Sequence, residues 1–161
     1  MQIKTTDLWD RFEDQVQVAE PVFRNFGGRD SFWGRAVCLE VFEDNVLVRR
    51  EVETDGNGKV LVVDGGGSLK CALLGDILAG LAISNKWSGI IIYGCIRDAK
   101  EIAAMPVGVK ALNTSPRKSG KKGHGKKEVS VEFAGVTIQP GDYVYADLDG
   151  ILVAKQNLLD A

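Results

Sequence analysis

At 161 residues and 17.4 kDa, with 45% hydrophobic and 26% charged residues, the chain has the make-up of an ordinary globular protein and the length of a single domain spanning 1–161. A net charge of −2 gives no general attraction for nucleic acid, so no direct nucleic-acid binding is expected, nor any pull towards an anionic membrane. No apolar run is long enough to cross a bilayer, and the N-terminal MQIKTTDLWDRFEDQ lacks a secretory-type apolar core, which makes the cytoplasm the expected location.

Thr5 or Thr6 followed by DLWDRFEDQ predicts a capped short helix with Leu8 and Phe12 on one face. The glycine- and aromatic-rich stretch 25–34 reads as a loop. Strands are expected over 36–42 and 60–63, separated by the turn signal Asp55-Gly56-Asn57-Gly58. Residues 73–86, LLGDILAGLAISNK, predict the principal helix, with Ile77, Leu78, Leu81 and Ala82 as its apolar face. The strand 89–93 follows, so strand, helix and strand suggest a crossover between parallel neighbours. Later segments at 107–112, 129–133, 136–138, 143–146 and 151–154 read as short strands. The fold class expected is therefore mixed α/β, with a parallel or mixed central sheet and a strand-rich C-terminal half.

The chemistry concentrates in IIIYGCIRDAKE, residues 90–101. There an apolar strand ends at a glycine and is followed by Arg97 and Asp98. A carboxylate can hold a divalent cation, and the adjacent guanidinium can grip an anionic substrate chelated by it. Asp98 with Glu101 three residues on equally fits an ordinary capping box for a helix over 99–104. Gly75-Asp76-Ile77-Leu78 opens the main helix, where free amides and an absent side chain suit a carboxylate; Asp76 also has a purely helix-stabilising explanation. Two crossovers would bring both segments to the C-terminal ends of neighbouring strands, where open α/β sheets bind ligands.

Other candidates read more plainly. Cys38, Cys71 and Cys95 are odd in number and lack a CxxC pair, so neither a disulfide scaffold nor a zinc cluster is expected; they read as buried small hydrophobes. The glycine run 65–67 matches no nucleotide-binding spacing and reads as a turn, and nothing around Lys70 favours a Schiff base. His124 is the single histidine, so no catalytic triad is indicated. The basic stretch 116–127 reads as a solvated, mobile loop that could cover a site for a dianionic substrate.

Almost end to end, the chain resembles the RraA-like family. The marks are Glu20-Pro21 with NFGGR at 25–29, VFEDN at 41–45, GKVLVVDGGGS at 58–68, GDIL at 75–78, GCIRD at 94–98 and YADLDGILV at 145–153. That family contains regulators of ribonuclease E activity and divalent-metal 4-hydroxy-4-methyl-2-oxoglutarate aldolases. The resemblance implies a compact swivelling β/β/α domain, usually a homotrimer with sites near subunit boundaries. In the aldolase branch it implies substrate binding by Gly75, Asp76, Ile77, Leu78 and Arg97, catalysis by Arg97 and Asp76, and a Mg²⁺ or Mn²⁺ held by Asp98, with Glu101 acting through water. The activity implied is cleavage of that substrate to pyruvate, with decarboxylation of oxaloacetate. The alternative implied is a non-catalytic regulator that binds and inhibits a ribonuclease E-like endoribonuclease or another RNA-processing partner.

Overall fold

The computed structural model describes residues 2–160. In chain order the elements are α1 (Thr5–Phe12), a 3-10 turn (Glu13–Gln15), β1 (Val16–Val18), β2 (Arg24–Asn25), β3 (Phe32–Glu40), α2 (Val46–Val52), β4 (Val60–Asp64), β5 (Ala72–Leu74) and α3 (Asp76–Ser84). They continue with β6 (Gly89–Ile96), α4 (Ala99–Ala103), β7 (Gly108–Thr114), β8 (Lys126–Lys127), β9 (Val131–Phe133), β10 (Val136–Ile138), β11 (Tyr143–Asp147), β12 (Gly150–Ala154) and a closing 3-10 turn (Leu158–Asp160).

One mixed sheet runs β1-β12-β11-β3-β4-β6-β7-β2. Its centre, β3-β4-β6-β7, is parallel, and β11, β12, β1 and β2 extend it antiparallel. β5 adds a short parallel pairing to β6, and β9 and β10 form a separate hairpin. The mixed central sheet and the strand-rich C-terminal half are thus both present.

Alternation along the central strands separates two cores. Leu61, Val63, Ile90 and Ile92 pack on the side of α2, α3 and α4, together with Val48, Val52, Ala79, Ala82 and Ile102. Val60, Val62 and Ile91 point the other way, against Val131, Phe133, Val136 and Ile138 of the hairpin. Burial on both faces is why these strands read as unbroken apolar runs, and each fully buried aliphatic side chain contributes roughly 1.5–3 kcal/mol. A third cluster seats Ile3, Leu8 and Phe12 on Tyr145, Leu152 and Leu158. β6 and β7 both begin with glycine for a packing reason: the Phe32 ring lies across them, and a Cβ on Gly89 or Gly108 would come within 2.2 or 2.1 Å of it.

Several expectations need correction. α1 has Lys4 at its cap position without a side-chain cap, while Thr5 is buried and gives its amide and hydroxyl to Asp147 at 2.7 and 2.6 Å. β3 starts at Phe32, inside the expected loop 25–34, because Phe32 and Trp33 pair with Ala146 and Tyr145. The main helix begins at Asp76, since Ala72–Leu74 are drawn into parallel pairing with β6. Ile77 does not belong to the buried face; it is 68% exposed, and Leu78, Ala79 and Ala82 carry the burial. α2 was not foreseen, because VLVRREV reads equally well as a strand.

The basic stretch 116–127 is tied down rather than free. The buried Asp44 carboxylate accepts the amides of Val46, Lys122 and Gly123 at 3.1, 2.7 and 3.0 Å, Gly120 donates its amide to the Glu43 carbonyl at 2.8 Å, and the Arg117 carbonyl accepts the Ala72 amide at 2.9 Å. Burial pushes the Asp44 carboxyl up, but the amides of Val46, Lys122, Gly123 and His124 outweigh it and hold the carboxyl below its ordinary value. No helix among the described residues is long and apolar enough to cross a membrane.

Candidate functional site

The site grows from the ends of β5 and β6. Leu74 lies opposite Ile96, and the Arg97 amide donates to the Leu74 carbonyl at 2.9 Å, so Gly75 and Arg97 leave the sheet side by side. Gly75 is extended and sits at the cap position of α3 without a side chain to cap it. Asp98 adopts the left-handed conformation, φ 57° and ψ 44°, which a short polar side chain tolerates. This turns its carboxylate away from its own helix. The expected capping box with Glu101 does not form; instead Oδ2 of Asp98 accepts the Asp76 amide at 2.9 Å and caps α3. Gly75 is what lets it approach, since a Cβ there would lie 2.8 Å from that oxygen.

The Asp76 amide holds the Asp98 carboxyl below its usual value against the effect of burial, and the Asp76 side chain and the Arg97 guanidinium act in the same direction. Asp76 and Asp98 are thus joined through the amide of one and the carboxylate of the other. In the first turn of α3 the Ile77 and Leu78 amides have no intrahelical acceptor.

These groups face a cavity of about 450 Å³. Gly75, Asp76, Ile77, Leu78, Arg97 and Asp98 all line it, so the structure brings together every candidate but Glu101, which is exposed on α4 outside the lining. The rest of the wall includes Arg49 and Arg50 from α2, Asn45 and Glu53 at its two ends, and Lys118 and Lys121 from the basic loop. Five basic side chains therefore face three carboxylates, and a multiply charged anion is the favoured occupant. Burial lowers the Lys121 pKa, and the nearby charges of Lys118, Arg97 and Arg49 add to this while Asp44 opposes it. Asn45, Arg49 and Arg50 escaped sequence reasoning because α2 did. Asp44-Asn45 ahead of an apolar run is the start signal that could have revealed the helix.

Among the described residues no group of three or more His, Cys, Asp or Glu is arranged to hold a metal. The glycine run is a turn: Gly65 and Gly67 donate to the Tyr93 carbonyl at 3.1 and 3.0 Å, and the segment leads on to β5 rather than to a helix. Cys38, Cys71 and Cys95 are buried, and burial raises all three thiols, Cys38 to about 12.

Comparison with known proteins places this geometry in a group. Residues 5–153 match the RraA-like model, described as Aldolase/RraA. A provisionally named 4-hydroxy-4-methyl-2-oxoglutarate aldolase of Alkalilimnicola ehrlichii is 54% identical over 161 residues, covering 100% of both chains. A Geobacillus kaustophilus structure titled S-adenosylmethionine: 2-dimethylmenaquinone methyltransferase is similar at 53% identity, with a TM-score of 0.97 and 99% of each chain covered. The structure titled RNA-processing inhibitor RraA from Thermus thermophilis is similar at 44% identity, with a TM-score of 0.93 and 97% of this chain and 94% of that one covered. Three different activities are thus named on one fold, as fold alone permits, but the kinship itself is plain: the chain belongs to the RraA-like family.

Proposed function

We propose that the protein is a cytoplasmic, divalent-metal-dependent (class II) aldolase that cleaves 4-hydroxy-4-methyl-2-oxoglutarate to pyruvate and decarboxylates oxaloacetate. The observation that carries this reading is the meeting of Arg97, Asp98 and the Gly75–Leu78 turn in one predominantly basic cavity. The kinship with the named aldolase of Alkalilimnicola ehrlichii supports the choice of substrate.

The donor set suits an open Mg²⁺ or Mn²⁺ site and not a closed cage. Such ions keep several waters and bind through one or two carboxylates plus substrate oxygens, and the Asp98 carboxylate in the cavity wall would provide one. When bound there, the ion supplies Lewis-acid stabilisation of the negative charge that develops on the 2-oxo oxygen.

The chain's own residues do the rest. Arg97 binds the C1 carboxylate, and the first-turn amides of α3 orient the 2-oxo acid end. Asp76, directly or through an ordered water, takes the proton of the 4-hydroxyl; the C3–C4 bond breaks, C4 becomes the carbonyl of one pyruvate, the electron pair moves towards the 2-oxo oxygen of the other, and the proton returned by Asp76 to C3 of that enolate completes the second pyruvate. Decarboxylation of oxaloacetate moves an electron pair to the same oxygen, so one site serves both reactions. The chain is further proposed to assemble as a homotrimer, which would show as a solution mass three times the 17.4 kDa of the chain. Methyl transfer fits the cavity less well, since its excess of cations repels a sulfonium donor.

The test is pyruvate release from both substrates with Mg²⁺ or Mn²⁺, then with excess EDTA, then with metal restored. Turnover that follows the metal supports the proposal, and turnover indifferent to EDTA defeats it. A second reading, inhibition of an endoribonuclease, is favoured by the 44% identical structure that carries an RNA-processing inhibitor title. Absence of turnover together with tight binding to such a ribonuclease would establish it instead.

A further inference from the structure

We infer that Lys110 and the small cavity beside it, on the face of the sheet opposite α3, form a second site that takes up a short aliphatic aldehyde or ketone as an imine on the lysine amine.

Lys110 stands in β7 between Val109 and Ala111, whose side chains join the core under α2, α3 and α4. Strand alternation sends Lys110 to the other face. There it lines a cavity of about 120 Å³ with Glu20, Phe23, Leu148, Asp149 and Ile151, and no residue of this cavity lines the one at Arg97 and Asp98.

A lysine is almost never this deep without a counter-charge. Lys110 is 3% exposed, yet among the described residues it forms no ion pair, and its one side-chain hydrogen bond runs from Nζ to the Asp147 carbonyl at 2.6 Å. An ammonium carries three donors, so the charged form is left short of acceptors. The neutral amine is better served: one N–H keeps the Asp147 bond, and the lone pair is free for an electrophile. Burial lowers the Lys110 pKa in the same sense, although the charges of Asp147 and Asp149 oppose it. A desolvated lysine is the kind of amine that adds to carbonyl compounds.

The walls decide the class of electrophile. Phe23, Leu148 and Ile151 are apolar, and the volume is well above the roughly 10–15 Å³ that one water requires. Glu20 and Asp149 add negative charge, which disfavours a bound anion or a lysine carbamate and favours a cationic iminium. In the addition, the amine nitrogen forms the C–N bond and the carbonyl π pair moves to oxygen. Proton transfer from nitrogen to that oxygen gives the carbinolamine. Its hydroxyl leaves with the remaining N–H proton as water, and a solvent proton converts the imine to the iminium, whose N–H can again donate to the Asp147 carbonyl.

The experiment is reductive trapping of the full chain with acetaldehyde and cyanoborohydride at about pH 6.5, read by peptide mass mapping. Hydride delivered to the iminium carbon leaves a stable N-ethyl group. Lys110 should be ethylated at least about fivefold faster than the exposed Lys70 and Lys100. In urea that preference should vanish. Pyridoxal phosphate, too large and too acidic for the cavity, should label Lys70 and Lys100 and spare Lys110.

Ethylation of Lys110 no faster than that of Lys70 would overturn the inference. So would labelling of Lys110 by both aldehydes alike, the pattern that local unfolding produces. If Lys110 only tied β7 to the β11–β12 turn, Lys110→Met would lower the Tm while the wild type trapped nothing, and the site would be refuted. Excess EDTA should not slow the labelling; labelling that needs Mg²⁺ would move the electrophile to the Arg97–Asp98 cavity and contradict a second site. Trapping at Lys110 stands or falls apart from pyruvate release, which Lys110→Met should leave within about twofold of the wild type.

Discussion

The carboxylate of Asp98 caps a helix that is not its own: Oδ2 accepts the amide of Asp76, twenty-two positions earlier, at 2.9 Å. One side chain thereby joins the start of α3 to the end of β6 and leaves its other oxygen for a ligand. Structural and chemical duties can be separated by substitution. Asp98→Asn retains an acceptor for the Asp76 amide and should melt close to the wild type, whereas Asp98→Ala should lose about 1 kcal/mol with the cap, a fall of roughly 2–4 °C in Tm. Both should lose at least about 100-fold in metal-dependent pyruvate release. Full activity in Asp98→Asn would show that the charge is not needed.

Gly75→Ala tests the close approach. The backbone there, φ −127° and ψ −170°, is open to alanine, so the backbone itself is not strained by the change. Its Cβ, however, would meet Asp98 Oδ2 at 2.8 Å and the Arg97 side chain at 3.5 Å. Displacing those groups should cost about 100-fold in kcat/KM, measured as pyruvate release, with a fall in Tm no larger than the roughly 2–4 °C expected from loss of the Asp98 cap.

Asp44 makes a prediction in pH. Its folded pKa lies below the ordinary 3.8, so its stabilisation is complete above that unfolded value and is lost as the pH falls through the lower folded one. The amide NMR shifts of Lys122 and Gly123 should therefore hold from neutral pH down to about pH 4 and move only below it. Asp44→Ala should free the loop at every pH and destabilise the protein by about 2 kcal/mol, as read from denaturant unfolding.

The cysteines should be bystanders. With all three buried and their thiols raised by burial, iodoacetamide at pH 7.5 should modify none of them in the folded protein. Mass spectrometry would detect modification, and loss of activity with labelling at Cys95 would place a thiol in the chemistry after all.

Much of this was legible in the sequence because both faces of the central strands are buried. Val60–Val63 and Ile90–Ile92 could be nothing but interior strands. Arg97 and Asp98 stood out because they follow such a strand directly. Where local patterns had two solutions, tertiary pairing decided. Leu73 and Leu74 fit a helix but gain parallel partners on β6, and VLVRREV fits a strand but packs as α2. Ile77 satisfies the helical period and yet faces the cavity mouth. The partner of the Asp98 carboxylate was not readable, because it depends on a left-handed backbone and on an amide in another element. The contribution of Lys118 and Lys121 was half visible, as charge without an address.

The central claim is that Asp98 holds a divalent cation which a 2-oxo acid completes, and a Mn²⁺ titration followed by electron paramagnetic resonance tests it most directly. The wild type should bind one Mn²⁺ per chain, more tightly when pyruvate is present, and Asp98→Asn should lose that site. Identical Mn²⁺ binding in Asp98→Asn, or binding that pyruvate leaves unchanged, would contradict the account.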